Sequence, residues 1–385
     1  MTDELVKHYI SLLKKEGIDI EPITNTHRDK NLFSFFFEKF ERENWYANSW
    51  FYLTQAANGY SHGHLLGFKY KKEEDDALFT IGLFERPHKG TVHFHIVNPL
   101  GNEQDVEDGL IELSEKIYKV SKTAVFIKKI NGDTVDKLIL ANKNFRKISW
   151  KEPLGYAWHK DAPLEDDTWP EVVIDIKKAL LLRKTTGKRP GRQYKDFRKK
   201  NFRLRWDRFG KNRERDAKLI EDAEHIVRDF FNQKGIIENS SISVPTDYYN
   251  MIETAPQSEC IKTTAYINDM PVAFLCLEKI DSRSYGLYAN LALTKTNENW
   301  QNLSYAVIFK ALTTILAMSK LKKMNVQYLN LGGSETISLH TFKVQFLSYD
   351  KEKYNVEIAA NKKNETSIAR NSFWLVYDES KKTDD

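Results

Sequence analysis

The sequence predicts two domains of the α/β class, in the α+β arrangement, each with a mixed, mostly antiparallel sheet flanked by helices. With 385 residues, 41% of them hydrophobic, the chain is long enough to bury two cores of ordinary size. A meander of strands followed by helix, strand and helix occurs once in each half. An acidic, proline-containing joint, Asp161 to Pro170, separates the halves. We therefore expect domains at residues 1–165 and 166–385.

The first half begins with an amphipathic helix, Leu5 to Leu13, and continues with short runs rich in β-branched and aromatic residues. These runs predict a meander of four strands: Trp50–Thr54, His64–Tyr70, Ala77–Leu83 and Val92–Val97. Apolar residues then recur at helical spacing between Val106 and Tyr118. A strand at Ala124–Ile127 and a helix at Val135–Leu140 complete this half.

The second half repeats the order. Its predicted meander consists of Thr263–Ile267, Val272–Ile280 and Tyr285–Leu293. A long apolar helix (Leu303 to Leu321), a strand (Tyr328–Leu331) and a short amphipathic helix (Leu339 to Phe346) follow. We expect Val356–Ala360 and Phe373–Tyr377 to close the second sheet.

The start of the chain and its cysteines bear on location. Met1 to Glu4 is acidic where a secretory signal needs positive charge, and no apolar run approaches the ~20 residues that span a bilayer. The two cysteines, Cys260 and Cys276, fit neither a disulfide framework nor a zinc site. We expect a cytoplasmic protein without a transmembrane segment.

Charge is concentrated in one segment. Between Lys177 and Arg215 there are 17 Lys and Arg against three acids, a net charge of +14 in a chain whose total is +5. Such a like-charge block predicts a surface that binds phosphate groups. Tyr194, Phe197, Phe202 and Trp206 alternate with the cations, which suits base stacking as well as a helix with an aromatic core face.

The element order is that of the GNAT acyltransferase fold, and two stretches make the second half resemble one branch of it. They are Tyr328–Glu335 with Leu339–Phe346, a strand, a Gly-rich turn and a Leu-x-x-Phe-Lys-x-x-Phe helix, and Gly187–Lys188 with Tyr194, Arg198 and Asn201 downstream. Both resemble the Fem-type tRNA-dependent aminoacyltransferases and the cytosolic domain of the phosphatidylglycerol lysyltransferases. The resemblance implies tandem GNAT-like domains, of which the first is a degenerate copy.

What the resemblance implies for function is the transfer of an aminoacyl group from aminoacyl-tRNA to an amine or hydroxyl acceptor, which can be a small molecule, a lipid or a peptide. It implies no metal and no cofactor. The tRNA-binding residues expected in the basic segment are Lys188, Arg192, Arg198, Lys199 and Arg203.

The candidate catalytic site surrounds the end of the strand at Tyr328–Leu331. Gly332 and Gly333 allow the backbone to approach a ligand closely and to take positive φ. The helix that follows points free N–H groups at the ligand, which suits an oxyanion. We place Asn330, Ser334, Glu335 and Lys343 there as candidate catalytic residues; Ser334 equally fits a helix cap, and Lys343 a surface lysine.

Tyr288 and Asn290 are candidate substrate contacts. They are two residues apart in a predicted strand, so alternation places them on one face with residues 286 and 292, and residues 285, 287, 289 and 291 on the other. A polar pair that serves only the sheet is the structural alternative.

Two other functions stay open. An acyl-CoA-dependent N-acyltransferase of the same fold would use acyl-CoA as donor, but the stretch between Leu293 and Leu303 has no glycine for the usual pyrophosphate loop. A non-catalytic RNA-binding module would keep only the basic segment. A metal site formed by His62, His64, His93 and His95 lacks an accompanying carboxylate or cysteine, and we expect none.

Overall fold

The computed structural model describes residues 3–23, 27–40, 63–70, 77–86, 91–130, 132–147, 172–185, 189–206, 213–233, 260–294, 300–321, 325–332, 339, 342–343, 345–346 and 373–380. The chain forms two compact units, of which the first comprises residues 1–150 and 371–385 and the second residues 151–370. The predicted strands at Trp50–Thr54 and Val356–Ala360 lie outside the described residues.

The first unit is built on one sheet. Its elements in chain order are α1 (Asp3–Lys15), β1 (Ile20–Glu21), α2 (His27–Phe40), β2 (Gly63–Tyr70), β3 (Leu78–Arg86), β4 (Thr91–Leu100), α3 (Glu103–Ser121), β5 (Val125–Ile130), α4 (Gly132–Ala141), β6 (Phe145–Lys147) and a strand from the end of the chain, β13 (Phe373–Tyr377). The sheet order is β1-β2-β3-β4-β5-β13-β6. β4 and β5 are parallel, and the other neighbours are antiparallel.

The core of the first unit lies between one face of this sheet and helices α1, α3 and α4. Leu110, Leu113 and Ile117 of α3 are fully buried against Phe94 and Ile96 of β4. Their spacing of three and four residues is the apolar periodicity that predicted the helix. Burial of this stripe therefore holds α3 on the sheet.

The C-terminal strand corrects one expectation. β13 pairs with β5 and β6 of the first sheet, through Leu375 opposite Ile127 and Lys147, so the prediction that Phe373–Tyr377 closes the second sheet is wrong. Leu375 and Tyr377 are buried in the first core, where their apolar surface is covered. The second domain is thus not continuous over 166–385, because the end of the chain returns to the first unit.

The second unit is built on a six-stranded sheet. Its elements are β7 (Val173–Asp175), α5 (Ile176–Thr185), α6 (Arg189–Arg198), β8 (Phe202–Trp206), α7 (Arg213–Gln233), β9 (Cys260–Ile267), β10 (Met270–Lys279), β11 (Ser284–Ala292), α8 (Leu303–Lys320) and β12 (Tyr328–Asn330). The order is β7-β12-β11-β10-β9-β8, with β11 and β12 parallel and the other pairs antiparallel.

Helix α8 is the central core helix of the second unit. Within the part of the chain that the structure describes, it alone is long and apolar enough to cross a bilayer. Its buried residues instead pack with the sheet and with α5 and α6 in one apolar cluster, and they are Leu303, Ala306, Val307, Ile308, Phe309, Ala311, Leu312 and Ile315. We therefore interpret α8 as a core helix, whose apolar composition follows from the burial of one broad face.

Both units contain the same central motif, a strand, a helix and a parallel strand: β4, α3 and β5 in the first unit, and β11, α8 and β12 in the second. The first strand of each motif carries an extra residue relative to its antiparallel neighbour, near Asn98 in β4 and at Tyr288 in β11. The duplication predicted from element order is therefore present in the topology.

Candidate functional site

The candidate site lies where two parallel strands of the second sheet part. β11 and β12 pair over three positions, from Ser284 opposite Tyr328 to Gly286 opposite Asn330. β11 then runs on to Ala292 without a partner on this side among the described residues, while β12 ends at Asn330. Beyond Gly286 the backbone groups on this side of β11 have no ladder partner among the described residues, so they can pair with a ligand.

A β-bulge re-aims the side chains of β11 at the same point. Cys276 lies opposite Ala289 and Leu277 opposite Leu287, so Tyr288 is the extra residue. Our expectation of strict alternation is wrong here: Leu287, predicted on the face opposite Asn290, faces the same apolar cluster as Ala292. An inserted residue shifts alternation by one, which no periodic pattern in the sequence indicates.

Asn290 faces the helix-covered side of the sheet. It lies directly opposite Leu275, a core residue, and directly opposed residues of an antiparallel pair share a face. Its Oδ1 is buried and accepts no hydrogen bond within the described part of the structure. A buried acceptor without a donor costs about 1–3 kcal/mol, so this oxygen suits a ligand that donates an N–H or O–H.

Asn330 and Gly332 form the turn that ends β12. The backbone N–H of Gly332 donates to Asn330 Oδ1 at 2.8 Å, and Gly332 has φ of +70°, as the Gly-Gly pair predicted. Asn330 is fully buried, and Leu331 N–H donates to the Val172 carbonyl at 2.8 Å. Asn330 thus has a structural role in the turn, and its catalytic role stays a prediction.

Lys343 is a buried cation next to the apolar end of α8. Its side chain is 7% exposed, which excludes the alternative of a surface lysine. The flanking residues Phe342 and Phe346 contact the ring of Tyr305 at centroid distances of 4.5 Å and 5.7 Å. Phe346 N–H donates to the Lys343 carbonyl at 3.1 Å, which closes a tight backbone turn at this lysine. Burial of a charged group at such a position suits a functional role.

The remaining predicted members of this site cannot be placed. Gly333, Ser334 and Glu335 lie outside the described residues, as does Lys188 of the basic segment. Arg192 belongs to α6, but its side chain is not described. Their roles stay predictions.

The N-terminus of α8 is the position at which GNAT proteins are expected to bind pyrophosphate. Here the N–H of Leu303 donates to the Trp300 carbonyl at 3.3 Å, and that of Tyr305 to the Asn302 carbonyl at 3.1 Å. Asn302 precedes the helix in the left-handed region, with φ of +70°. Because these first-turn donors are already used, this terminus offers less to a phosphate than an open helix start.

The basic segment forms two helices and a strand, α5, α6 and β8, and its aromatic residues are core. Tyr194, Phe197 and Phe202 are buried, and the Tyr194 ring lies 5.1 Å from that of Phe309 in α8. Base stacking by these three residues is therefore excluded, because their faces are covered. Arg198 and Lys199 are exposed at the end of α6, and they form no ion pair with any described residue. They remain available to phosphate groups.

Two arginines of β8 differ in their partners. Arg203 forms an ion pair with Asp269 in the β9–β10 turn, which corrects the expectation that its charge is available to tRNA. Arg205 has no carboxylate partner within the described residues, and its guanidinium lies 4.8 Å from the ring centre of Tyr266. Arg205 was counted in the basic segment but was not among the residues predicted to bind tRNA. The alternation of Arg203, Leu204 and Arg205 in a strand is the signal that pairs it with Arg203.

The two cysteines and His95 are buried. Burial, followed by the neighbouring Cys260, raises the pKa of Cys276 well above its usual value, which makes this thiol a poor nucleophile. His93 and His95 make edge contacts with the Phe126 ring. No group of three His, Cys, Asp or Glu that could hold a metal ion occurs among the described residues, and His62 lies outside them.

Solved structures share this fold across most of the chain. A conserved protein of unknown function from Bacteroides thetaiotaomicron is 12% identical, with 93% of this chain and 98% of that chain covered and a TM-score of 0.60. FemX is 12% identical over 86% of this chain and 94% of its own, with a TM-score of 0.53. The C-terminal domain of a putative lysylphosphatidylglycerol synthetase from Agrobacterium fabrum is 8% identical over 92% of both chains, with a TM-score of 0.51.

No family model and no curated protein matches the sequence. At these identities the likeness shows the fold alone. It confirms the predicted resemblance: the chain has a fold of two GNAT-like domains, similar to those of FemX and of the lysylphosphatidylglycerol synthetase domain.

Proposed function

We propose that this chain is a cytoplasmic transferase that moves an aminoacyl group from aminoacyl-tRNA to an amine or hydroxyl acceptor. The observation that carries the proposal is the buried, unbonded Oδ1 of Asn290 beside the parting of β11 and β12. An N–H of a bound amine, on either the aminoacyl group or the acceptor, would complete this hydrogen bond. The amino group of an aminoacyl ester can supply this donor, whereas an acetyl group cannot.

The reaction requires no redox partner. The nucleophilic nitrogen or oxygen of the acceptor attacks the carbonyl carbon of the aminoacyl ester, and a C–N or C–O bond forms. The bond from that carbon to the ribose oxygen breaks, and the proton released by the nucleophile ends on the ribose hydroxyl. The ester is already activated, so alignment and charge stabilisation are the main contributions of the protein.

Lys343 is the residue to which we assign charge stabilisation. Lys343 is buried, and its neighbours Phe342 and Phe346 pack on Tyr305 at the end of α8. A cation in such a low-dielectric setting stabilises an oxyanion far better than a solvated lysine does. Asn290 positions the amine in this proposal, and Lys343 stabilises the negative charge that develops on the carbonyl oxygen.

Two features support tRNA as the donor. The segment from Lys177 to Arg215 carries a net charge of +14, and exposed cations at the end of α6 are unpaired among the described residues. The N–H groups of Leu303 and Tyr305 in the first turn of α8 are bonded to the backbone, which weakens the case for an acyl-CoA donor. Proteins of similar fold include FemX and a putative lysylphosphatidylglycerol synthetase domain.

The test is transfer of labelled amino acids from bulk charged tRNA. The purified protein is incubated with this tRNA and with a cell extract of small amines, lipids and peptides, and labelled products are separated from tRNA by chromatography. We expect a labelled product with the wild type. We expect a loss on the order of 10²-fold with Lys343→Met, because the substitution keeps the stem and removes the charge.

Lys279→Met is the matched control, because Lys279 is exposed at the far end of β10. Its transfer rate should equal that of the wild type. If the protein transfers an acyl group from acyl-CoA but nothing from charged tRNA, the donor is acyl-CoA and the proposed tRNA donor is wrong. Equal transfer rates in Lys343→Met and Lys279→Met would show that Lys343 has no role in the reaction.

A further inference from the structure

The edge strand of the second sheet carries a pair of arginines on one face. Among the described strands β8 pairs with β9 alone, and its core residues Phe202 and Leu204 face the helices α6 and α8. Arg203 and Arg205 alternate with them and so face the other side of the sheet. Arg203 lies opposite Tyr266 of β9 in the ladder.

Tyr266 is a fixed platform below both guanidinium groups. Its ring centre lies 5.9 Å from Arg203 Cζ and 4.8 Å from Arg205 Cζ. The ring is 2% exposed, and its hydroxyl donates to Asp222 Oδ2 of α7 at 2.6 Å. Burial and the hydrogen bond to Asp222 restrain the Tyr266 side chain, so its ring restricts the positions of the guanidinium groups that lie over it.

The two arginines differ in whether a carboxylate neutralises their charge. Asp269 neutralises Arg203, whereas no described carboxylate lies within ion-pair distance of Arg205. Arg205 is nevertheless half-buried, and a partly desolvated cation with only an aromatic partner favours an anion that supplies the missing acceptor oxygens. Lys199 before β8 is an exposed cation of the same unit, whereas the exposed Lys218 of α7 pairs with Asp222 at 3.6 Å.

We propose that Arg205, held over Tyr266 at the edge of the second sheet, binds a phosphate of an RNA backbone, while Arg203 is structural. The inference rests on the proposed function, since it names a surface through which the tRNA donor binds. Charge complementarity favours a polyanion over an isolated phosphate, because the cations of the basic segment continue on both sides of β8 in the sequence.

The test compares the salt dependence of bulk tRNA binding among four proteins: wild type, Arg205→Gln, Lys279→Gln, and the double variant Arg203→Gln with Asp269→Asn. The double variant removes the ion pair and keeps the net charge. We expect Arg205→Gln to weaken binding of all tRNAs by a similar factor and to reduce the slope of log K against log salt by about 1. Lys279→Gln and the double variant should retain the wild-type slope.

Arg205→Lys adds a readout that a general loss of fold would not give. The substitution keeps the positive charge and removes the planar guanidinium group. The slope of log K against log salt should therefore equal that of the wild type, while the affinity stays lower. Unfolding temperatures of all variants provide the control for folding.

The outcomes separate the two proposals. A wild type that does not bind tRNA at low salt would overturn the tRNA donor together with this inference. Wild-type binding with an unchanged slope in Arg205→Gln, or an equal reduction in the double variant, would overturn the inference alone. Displacement of tRNA by polyglutamate as effectively as by polyuridylate would show a general anion surface and overturn the assignment to RNA.

Discussion

Asn290 lies directly across the β10–β11 ladder from Leu275, so an amide side chain shares the face of a fully buried leucine. Leu275 is surrounded by the apolar cluster under α8, whereas Asn290 keeps its Oδ1 buried without a donor from any described residue. The pairing places an unsatisfied acceptor beside the point where β11 and β12 part. Such a conflict between packing and polarity is typical of functional sites.

Replacement of Asn290 by leucine should separate stability from function. The change removes the unsatisfied oxygen, so we expect the free energy of unfolding to stay the same or to rise by up to about 1–3 kcal/mol. Aminoacyl transfer should fall sharply, since the amine loses its acceptor. Denaturant unfolding and the transfer assay measure the two effects. Retained transfer in Asn290→Leu would exclude Asn290 as a substrate contact.

Gly109 of α3 is a packing requirement of the first unit. A Cβ at this position would overlap the Phe79 ring of β3, so Gly109→Ala should destabilise the protein by about 1–3 kcal/mol despite the higher helix propensity of alanine. Asp108→Ala, at an exposed neighbouring position, is the control and should change stability little. Phe79→Leu should relieve part of the cost in the double variant, and additive effects would contradict the close approach.

Tyr377 in the C-terminal strand β13 should make the stability of the protein depend on pH. Burial, and then the hydrogen bond from its hydroxyl to Glu379 at 2.7 Å, raise the pKa of Tyr377 above that of a free tyrosine. The unfolded chain loses this proton first as the pH rises, so the stabilising contribution is complete below the unfolded pKa of about 10 and is lost above it. Stability should therefore fall more steeply above about pH 10 in the wild type than in Tyr377→Phe. Parallel pH profiles of the two proteins would refute this.

The returning strand also predicts which unit depends on the end of the chain. β13 lies between β5 and the edge strand β6, so truncation after Arg370 removes an interior strand of the first sheet. We expect hydrogen exchange of β5 and β6 to accelerate, whereas β9 and β10 should keep their protection. Truncation after Tyr377 itself is the control, since it leaves β13 in place. Loss of protection in β9 and β10 instead would contradict the pairing.

The local pattern of the sequence was sufficient for most elements. The helical spacing of Leu110, Leu113 and Ile117 predicted α3, and the apolar run from Leu303 predicted α8. These predictions succeed because a helix that packs on a sheet must bury one face, which requires apolar residues at the period of the helix. The Gly332 turn was predictable for a similar reason, because positive φ favours glycine.

Three features required the tertiary structure. Phe373–Tyr377 has the composition of a strand, but composition does not specify which sheet edge a strand joins, and β13 joins the first unit. The bulge at Tyr288 inserts one residue into the ladder, which is a property of the pair of strands and not of β11 alone. The partners of Arg203 and Arg205 also depend on which residues the fold brings next to β8.

Local sequence patterns were sufficient to predict the two-unit α/β architecture, the central strand-helix-strand motif of each unit and the basic segment. The folded structure was needed to show that Lys343 is buried, that Asn290 Oδ1 has no hydrogen-bond donor among the described residues, and that Asp269 neutralises Arg203 but not Arg205. The physical reason is range. Periodicity and turn chemistry act within a few residues along the chain, whereas burial, hydrogen bonding and ion pairing depend on residues that only folding brings together.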